Sequence, residues 1–128
     1  MKRHQTLQDL SREHHTALKL ALAARRAATS GSPREILASA TACAEVFASH
    51  LEPHFVVEET MLLPAMAQAG EGALVERTLN EHLALRQLVS QLAVGDAATL
   101  LNFADLLSAH VRFEERELFE VAQASLEH

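Results

Sequence analysis

Apolar residues recur along this chain every three to four positions, which is the spacing of an amphipathic helix. Three short stretches rich in glycine, serine or charge interrupt the pattern, at residues 29–33, 69–72 and 94–96. They separate four segments of more than 20 residues each, far longer than an ordinary β-strand. The pattern therefore predicts four helices and no sheet.

Local capping signals predict where these helices begin. In the second segment Ser32 can cap the helix, Pro33 suits its first position, and Glu35 completes a capping box. Asp96 is placed to cap the fourth helix. The predicted helices extend over about 6–29, 33–69, 73–94, and from 97 to beyond 121.

Short connections make consecutive helices antiparallel neighbours, so we expect an all-α, up-down-up-down antiparallel four-helix bundle. A length of 128 residues suits one domain, which we place at residues 1–125. Residues 126–128 resemble the start of an expression tag, and we expect no functional role for them. Pro53 and Pro64 predict a kink, or at the second a kink or a stop, within the second helix.

Each predicted helix carries one histidine on its apolar face, and these are His14, His54, His82 and His110. The second and fourth helices add Glu58 and Glu114, each four residues after the histidine and therefore on the same face. A carboxylate that faces a core is costly unless it is paired, hydrogen-bonded or bound to a metal. These six positions are therefore candidates for a buried polar site.

An internal repeat links the second and fourth helices. The pattern H-x-x-x-E-E-x-x-L occurs as HFVVEETML from residue 54 and as HVRFEEREL from residue 110, at an offset of 56 residues. A single His/Glu pair at this spacing is usually a surface pair. Two such pairs on alternate helices, with an inward histidine on each remaining helix, favour a metal centre instead.

Imidazole nitrogens and carboxylate oxygens together suit iron, manganese or zinc. Two glutamates related by a repeat can each bridge two cations, with histidines as terminal ligands, so the pattern predicts a dinuclear centre. Glu59 and Glu115 are rotated by about 100° from the preceding glutamates. We expect the side chains of these two glutamates either to be solvated or to contact the metal-binding residues without binding the metal themselves.

Four stretches resemble the metal-binding helices of hemerythrin-like domains of the HHE type. They are LSREHHTALKLAL, HLEPHFVVEETMLLP, LNEHLALRQL and LLSAHVRFEERELF, and the likeness covers residues 4–122. The resemblance implies a non-heme di-iron centre, with Glu58 and Glu114 as bridging carboxylates. It implies terminal ligands at His54, His82 and His110. Zinc and manganese are the alternative metals.

The first helix offers two adjacent candidates, His14 and His15, which cannot both face the centre. Apolar residues follow His14 at three, four, seven and ten positions, as expected for the buried face. From His15, the fourth and tenth positions are Lys19 and Arg25. Both histidines remain candidate metal ligands, and the pattern favours His14.

The chain departs from the oxygen-carrying hemerythrins at two positions. Those proteins have a second histidine one turn along the third helix, where this chain has Arg86, and an aspartate where it has Glu115. His50 is a candidate for the missing donor, although an exposed helix histidine fits its position better. Arg86 is either solvated or the partner of a carboxylate or bound anion. One histidine fewer would leave more exchangeable coordination positions.

Net charge, hydropathy and cysteine content limit the binding partners and the cellular compartment that we expect for the protein. A formal charge of −6 argues against nucleic-acid binding, which needs a basic surface. No apolar run approaches the roughly 20 residues that span a bilayer, so we expect no membrane association. Cys43, the single cysteine, cannot form an internal disulfide and is expected to be buried. These features predict a cytoplasmic protein.

We expect a domain that binds metal ions and binds or senses iron, dioxygen or a related small ligand such as peroxide or nitric oxide. The alternative is a di-iron enzyme that acts on peroxide or oxidises iron. A third class is a regulatory domain whose metal stabilises a surface read by another protein. No motif for a protein partner is visible.

Overall fold

The computed structural model describes residues 3–126, which form four long helices and no strand. We call them α1 (Gln5–Ala28), α2 (33–68), α3 (Gly72–Gln91) and α4 (97–126), and a short 3₁₀ turn, Leu92–Val94, follows α3. The predicted all-α class is confirmed, and the helix ends lie within a few residues of the expected ones. Of the suspected tag, Leu126 is the last residue of α4, whereas Glu127 and His128 lie outside the described residues.

Capping side chains begin α2 and α4 as predicted. The Ser32 hydroxyl accepts from the Glu35 backbone N–H at 3.2 Å, and the Asp96 carboxylate accepts from the Ala98 N–H at 2.6 Å. The backbone N–H of Ser32 donates to the Ser30 hydroxyl, so the capping box forms in one direction only. These bonds satisfy N–H groups that have no partner within the helix.

The helix α2 continues through both prolines, with wider π-helical turns before each. The turns are Phe47–Leu51 and Glu58–Leu62, and each ends two residues before a proline. The carbonyl that a proline cannot bond, four residues earlier, lies inside such a turn. A third π turn, Glu114–Leu118, occurs in α4 without any proline. The second and third turns therefore follow the internal repeat, and each begins at its first glutamate.

Pairs between helices show the antiparallel order. Arg3, two residues before α1, pairs with Glu120 of α4 at one end of the bundle, and Arg25 of α1 pairs with Asp105 of α4 further along. The helix α1 packs against α2 and α4, and α3 packs against the same two helices. The predicted up-down-up-down bundle is confirmed.

Two apolar clusters fill the bundle and leave a layer between them. The larger one occupies the end with the α1–α2 connection and includes Cys43, Phe47, Leu85, Phe103 and Leu107. The smaller one occupies the other end and includes Leu7, Leu10, Leu62, Met66 and Phe119. Along every helix the inward histidine lies between residues of the two clusters. The polar candidates therefore form the layer that separates them.

Several large apolar side chains of the helices are exposed. In α1 the buried face uses Ala17, Ala21 and Ala24, while Leu18 points outward. Small residues here allow α1 to pack closely against its neighbours, so the bulkier leucine has no space inside. Three further residues of this kind are Leu37, Met61 and Leu79. No helix within residues 3–126 is long and apolar enough to cross a membrane.

Candidate metal centre

Six polar side chains meet in the layer between the apolar clusters, one or two from each helix. All are at most 4% exposed, and they are His14, His54, Glu58, His82, His110 and Glu114. The structure thus brings together every candidate from the sequence except His15, which lies exposed on the outer face of α1. Of the two adjacent histidines, only His14 reaches the layer.

The six residues form two groups that share both glutamates. One group comprises His14, His54, Glu58 and Glu114, the other Glu58, His82, His110 and Glu114, and the potential ligand atoms within each lie within 4.8 Å of one another. Glu58 oxygens lie 3.3 Å from His54 Nε2 and 3.0 Å from His82 Nε2. Glu114 oxygens lie 2.9 Å from His14 Nε2 and 3.1 Å from His110 Nε2. Each carboxylate therefore faces a histidine of both groups.

Most of the atoms that face one another here lack hydrogen bonds among the described residues. They are both oxygens of Glu58, Oε2 of Glu114, and Nε2 of His54, His82 and His110. A buried polar atom left without a partner costs about 1–3 kcal/mol. The short distances do not have hydrogen-bond directions, yet every such atom is one through which its side chain can bind a metal. These residues fit a cation.

The electrostatics of the layer favour positive charge at its centre. Burial opposes the charged form of His54, but the adjacent carboxylates of Glu114 and Glu58 outweigh it and raise the His54 pKa to about 11. The same opposition between burial and these carboxylates raises the pKa of His82 to about 9 and that of His110 to about 10. Either protons on the histidines or bound metal cations would balance the negative charge of the two buried carboxylates.

A second set of glutamates surrounds the six residues and orients the imidazoles. Each histidine places Nδ1 at hydrogen-bond distance from a glutamate of a neighbouring helix: His14 to Glu115 at 2.7 Å, His54 to Glu13 at 2.8 Å, His82 to Glu59 at 2.7 Å, and His110 to Glu81 at 2.6 Å. The four bonds link α1 to α4, α4 to α3, α3 to α2 and α2 to α1. We call these four glutamates the outer ring. Such partners fix which nitrogen of a ligating histidine faces the metal.

Arginines hold most of the outer ring in place. The three ion pairs are Arg86 with Glu59 at 2.8 Å, Arg77 with Glu81 at 3.1 Å, and Arg3 with Glu115 at 2.8 Å. Arg86 also pairs with Glu52 at 2.8 Å. Of the two alternatives for Arg86, the structure shows the partner of a carboxylate. Although burial raises the pKa of Glu115, bonds from His14, Arg3 and Ser11 outweigh it and lower that pKa to about 2.

Aromatic rings support the histidines from the apolar side. Phe55 stacks on His82, with ring centroids 3.9 Å apart and planes 8° from parallel, and meets His110 edge-on at 5.6 Å. Phe119 stacks on His14 at 5.3 Å. Because packed rings limit rotation of the imidazoles, the Nε2 atoms are held toward the shared glutamates before any cation binds.

Each shared glutamate begins a π turn, and a pair of buried apolar residues stands at the end of that turn. After Glu58, both Leu62 and Leu63 are buried, and after Glu114, both Leu118 and Phe119 are buried. A π turn closes its hydrogen bond on the fifth residue instead of the fourth, and so adds one residue to the helix ahead of these pairs. All four residues belong to the smaller apolar cluster and seal the layer on that side. Such turns are frequent at functional sites.

Sequence reasoning missed Glu13 and Glu81 and left the roles of Glu59 and Glu115 undecided. A signal was present: a glutamate directly precedes the inward histidine in α1 and in α3, at offsets of 68 residues for both positions of the Glu-His pair (13 to 81 and 14 to 82). A residue directly before an inward histidine is rotated by about 100° from it, which directs its side chain toward the neighbouring helix. His50, by contrast, is exposed and bonds the Ser49 hydroxyl, so it adds nothing to the layer.

Comparison with protein families agrees with this geometry. Residues 6–122 match the model of the hemerythrin HHE cation-binding domain, which is most of the chain. The comparisons with curated proteins and with solved structures found no match. The described His/Glu groups supply the donors that a cation-binding domain requires. The chain therefore belongs to the hemerythrin HHE cation-binding family.

Proposed function

We propose that this domain binds two iron ions in the layer between its apolar clusters. The sharing of Glu58 and Glu114 by two groups of buried donors supports this most directly. Each shared carboxylate would bridge the two cations. The terminal ligands would be His14 and His54 for one cation, and His82 and His110 for the other. His15 has no part in the proposed site.

The donors support iron, with zinc or manganese as alternatives. All are imidazole nitrogens and carboxylate oxygens, and the single thiol, Cys43, lies in the larger apolar cluster. Each cation would meet four protein residues, fewer than the six donors of an octahedral ion. Open positions of this kind let an iron centre bind small ligands such as dioxygen, peroxide or nitric oxide. We therefore propose a binding or sensing function for one of these ligands.

The position of Arg86 supports sensing or binding over simple oxygen transport. It stands where the oxygen carriers have a further histidine, and it is committed to Glu52 and Glu59 rather than to the layer. The proposed centre is therefore less saturated with protein donors. A cytoplasmic location remains our expectation, since it rests on the cysteine content and not on the fold.

Absorption spectroscopy tests this proposal. Anaerobically prepared ferrous protein should develop new visible bands when nitric oxide or dioxygen is added, and the bands should reverse when the gas is removed. Because the chain has neither Trp nor Tyr, the near-ultraviolet region is nearly free of protein absorption. The Glu58→Ala variant should show no such bands. Rapid turnover of added peroxide with the bands intact would contradict a binding function and favour the enzyme.

A further inference from the structure

The outer ring is uneven, because one of its four glutamates lacks a cationic partner. Glu59, Glu81 and Glu115 each pair with an arginine. Within residues 3–126, Glu13 makes its polar contact with His54 alone. The imidazole of His54 is therefore oriented by a carboxylate that nothing else holds.

Glu13 also differs from the other three glutamates of the outer ring in its solvent exposure. The Glu13 side chain is 53% exposed, against 22% for Glu59, 20% for Glu81 and 32% for Glu115. Water competes more strongly for an exposed carboxylate, and each hydrogen bond there contributes less. The bond between Glu13 and His54 is therefore the weakest restraint on any of the four histidines.

A cavity reaches the same half of the layer. It has a volume of about 220 Å³, lies between α1 and α4, and is bordered by Ser11, His14, His15 and Glu115. His14 belongs to the same donor group as His54. A larger cavity of about 450 Å³, between α3 and α4, reaches Glu81 but is bordered by neither His82 nor His110. Solvent thus approaches one group of donors more closely than the other.

We propose that the two cation positions differ in lability, and that the cation held by His14 and His54 is the one that exchanges with solvent. The position of His82 and His110 is the retained one, because Arg86 and Arg77 clamp the glutamates that orient both histidines. Glu13 acts as a positioning residue that sets the exchange rate. This inference rests on the proposed dinuclear centre and adds an order in which the two cations are released.

Release of iron to a chelator tests the inference. Protein loaded with ferrous iron under anaerobic conditions is mixed with an excess of a chromophoric ferrous chelator. Two phases of equal amplitude are expected. In the Glu13→Ala variant the faster phase should accelerate by about tenfold, the lower end of the 10–100-fold that outer partners of ligating histidines contribute to metal affinity, because this bond is the most exposed of the four. The slower phase should keep its rate.

Matched variants identify the position that each phase reports. Glu81→Ala removes the corresponding partner of His110 and should accelerate the slower phase alone. Glu45→Ala removes an exposed glutamate of α2 far from the ring and should change neither. The exposure of Glu13 makes its alanine variant compatible with folding. Acceleration of the slower phase by Glu13→Ala, or an unchanged faster phase, would overturn the proposal.

Histidine NMR assigns the exchanging position directly. Zinc, which is diamagnetic, is loaded to two equivalents, and a chelator then removes one. The ring signals of His14 and His54 should change while those of His82 and His110 persist. Loss of both cations in a single step would overturn this inference but leave the dinuclear centre intact. Failure to retain two cations at all would overturn the proposed function with it.

Discussion

Adjacent residues in this protein have different structural roles, as Glu58 and Glu59 illustrate. Glu58 is fully buried between the two donor groups, whereas Glu59 reaches past them to His82 Nδ1 and Arg86. The rotation of about 100° between neighbours on a helix is enough to separate the two positions. A glutamate pair therefore supplies both a candidate ligand and the support for another helix's ligand.

Removing Glu59 should weaken cation binding without abolishing it. In Glu59→Ala the His82 ring loses its restraint and Arg86 loses one carboxylate, while all six inner donors remain. We expect the affinity for ferrous iron to fall by about 10–100-fold, with the same number of ions bound at saturation. Competition titration against a chelator of known affinity measures this. Glu45→Ala is the control, and equal affinities of the two variants would contradict the assigned role.

The two histidines of α1 should respond differently to substitution. His14→Ala deletes a donor of the layer and should lower the amount of iron bound, whereas His15→Ala changes an exposed side chain and should leave it unchanged. Iron content of the two purified variants, each compared with wild type, tests this. Equal losses of iron in the two variants would show that His14 is not the only histidine of α1 that points into the layer.

At the scale of the helices, capping is the feature that sequence predicts best. Asp96→Ala removes the side-chain acceptor for the first N–H groups of α4. We expect a loss of about 1 kcal/mol in the free energy of unfolding, and Asp96→Asn should restore most of it. Denaturant unfolding of metal-free protein measures the difference. A loss confined to the metal-loaded form would point to the layer rather than to the cap.

The π turns could not be predicted in the same way, because a wider turn has no residue signature of its own. One copy of the repeat is followed by Pro64, while the other continues with Glu120, and both form the turn. Tertiary packing around Glu58 and Glu114 determines whether the π turn forms, and that packing is absent from a single helix. The exposure of Leu18 has a similar origin, since close packing by alanines is a property of helix pairs.

For the whole molecule, the apolar periodicity and the short connections were enough to predict the bundle, and the repeated histidines and glutamates were enough to predict its polar layer. The periodicity named five of the six inner donors without ambiguity and left His14 against His15 open. The outer ring escaped notice because Glu13 and Glu81 look like ordinary surface glutamates in sequence. Their role depends on which helices are neighbours, and only the folded bundle shows that.

The layer couples metal binding to global stability, because it separates the two halves of the core. Six buried polar groups face one another there, and cations would satisfy the unpaired donors. Loading with ferrous iron at about 100 times the dissociation constant should stabilise the fold by about 2.7 kcal/mol for each cation bound. Thermal unfolding with and without a chelator measures the shift in Tm. An unchanged Tm after iron loading would mean that the layer does not hold the cation.

Elemental analysis of iron-loaded protein tests the dinuclear centre most directly. Protein without an added histidine tag is loaded anaerobically, freed of excess metal and assayed for iron per chain. We predict about two iron ions per wild-type chain and fewer than about one in Glu58→Ala and in Glu114→Ala, since each substitution removes a carboxylate common to both positions. Less than about one ion per wild-type chain, or full occupancy in both variants, would contradict a centre bridged by these glutamates.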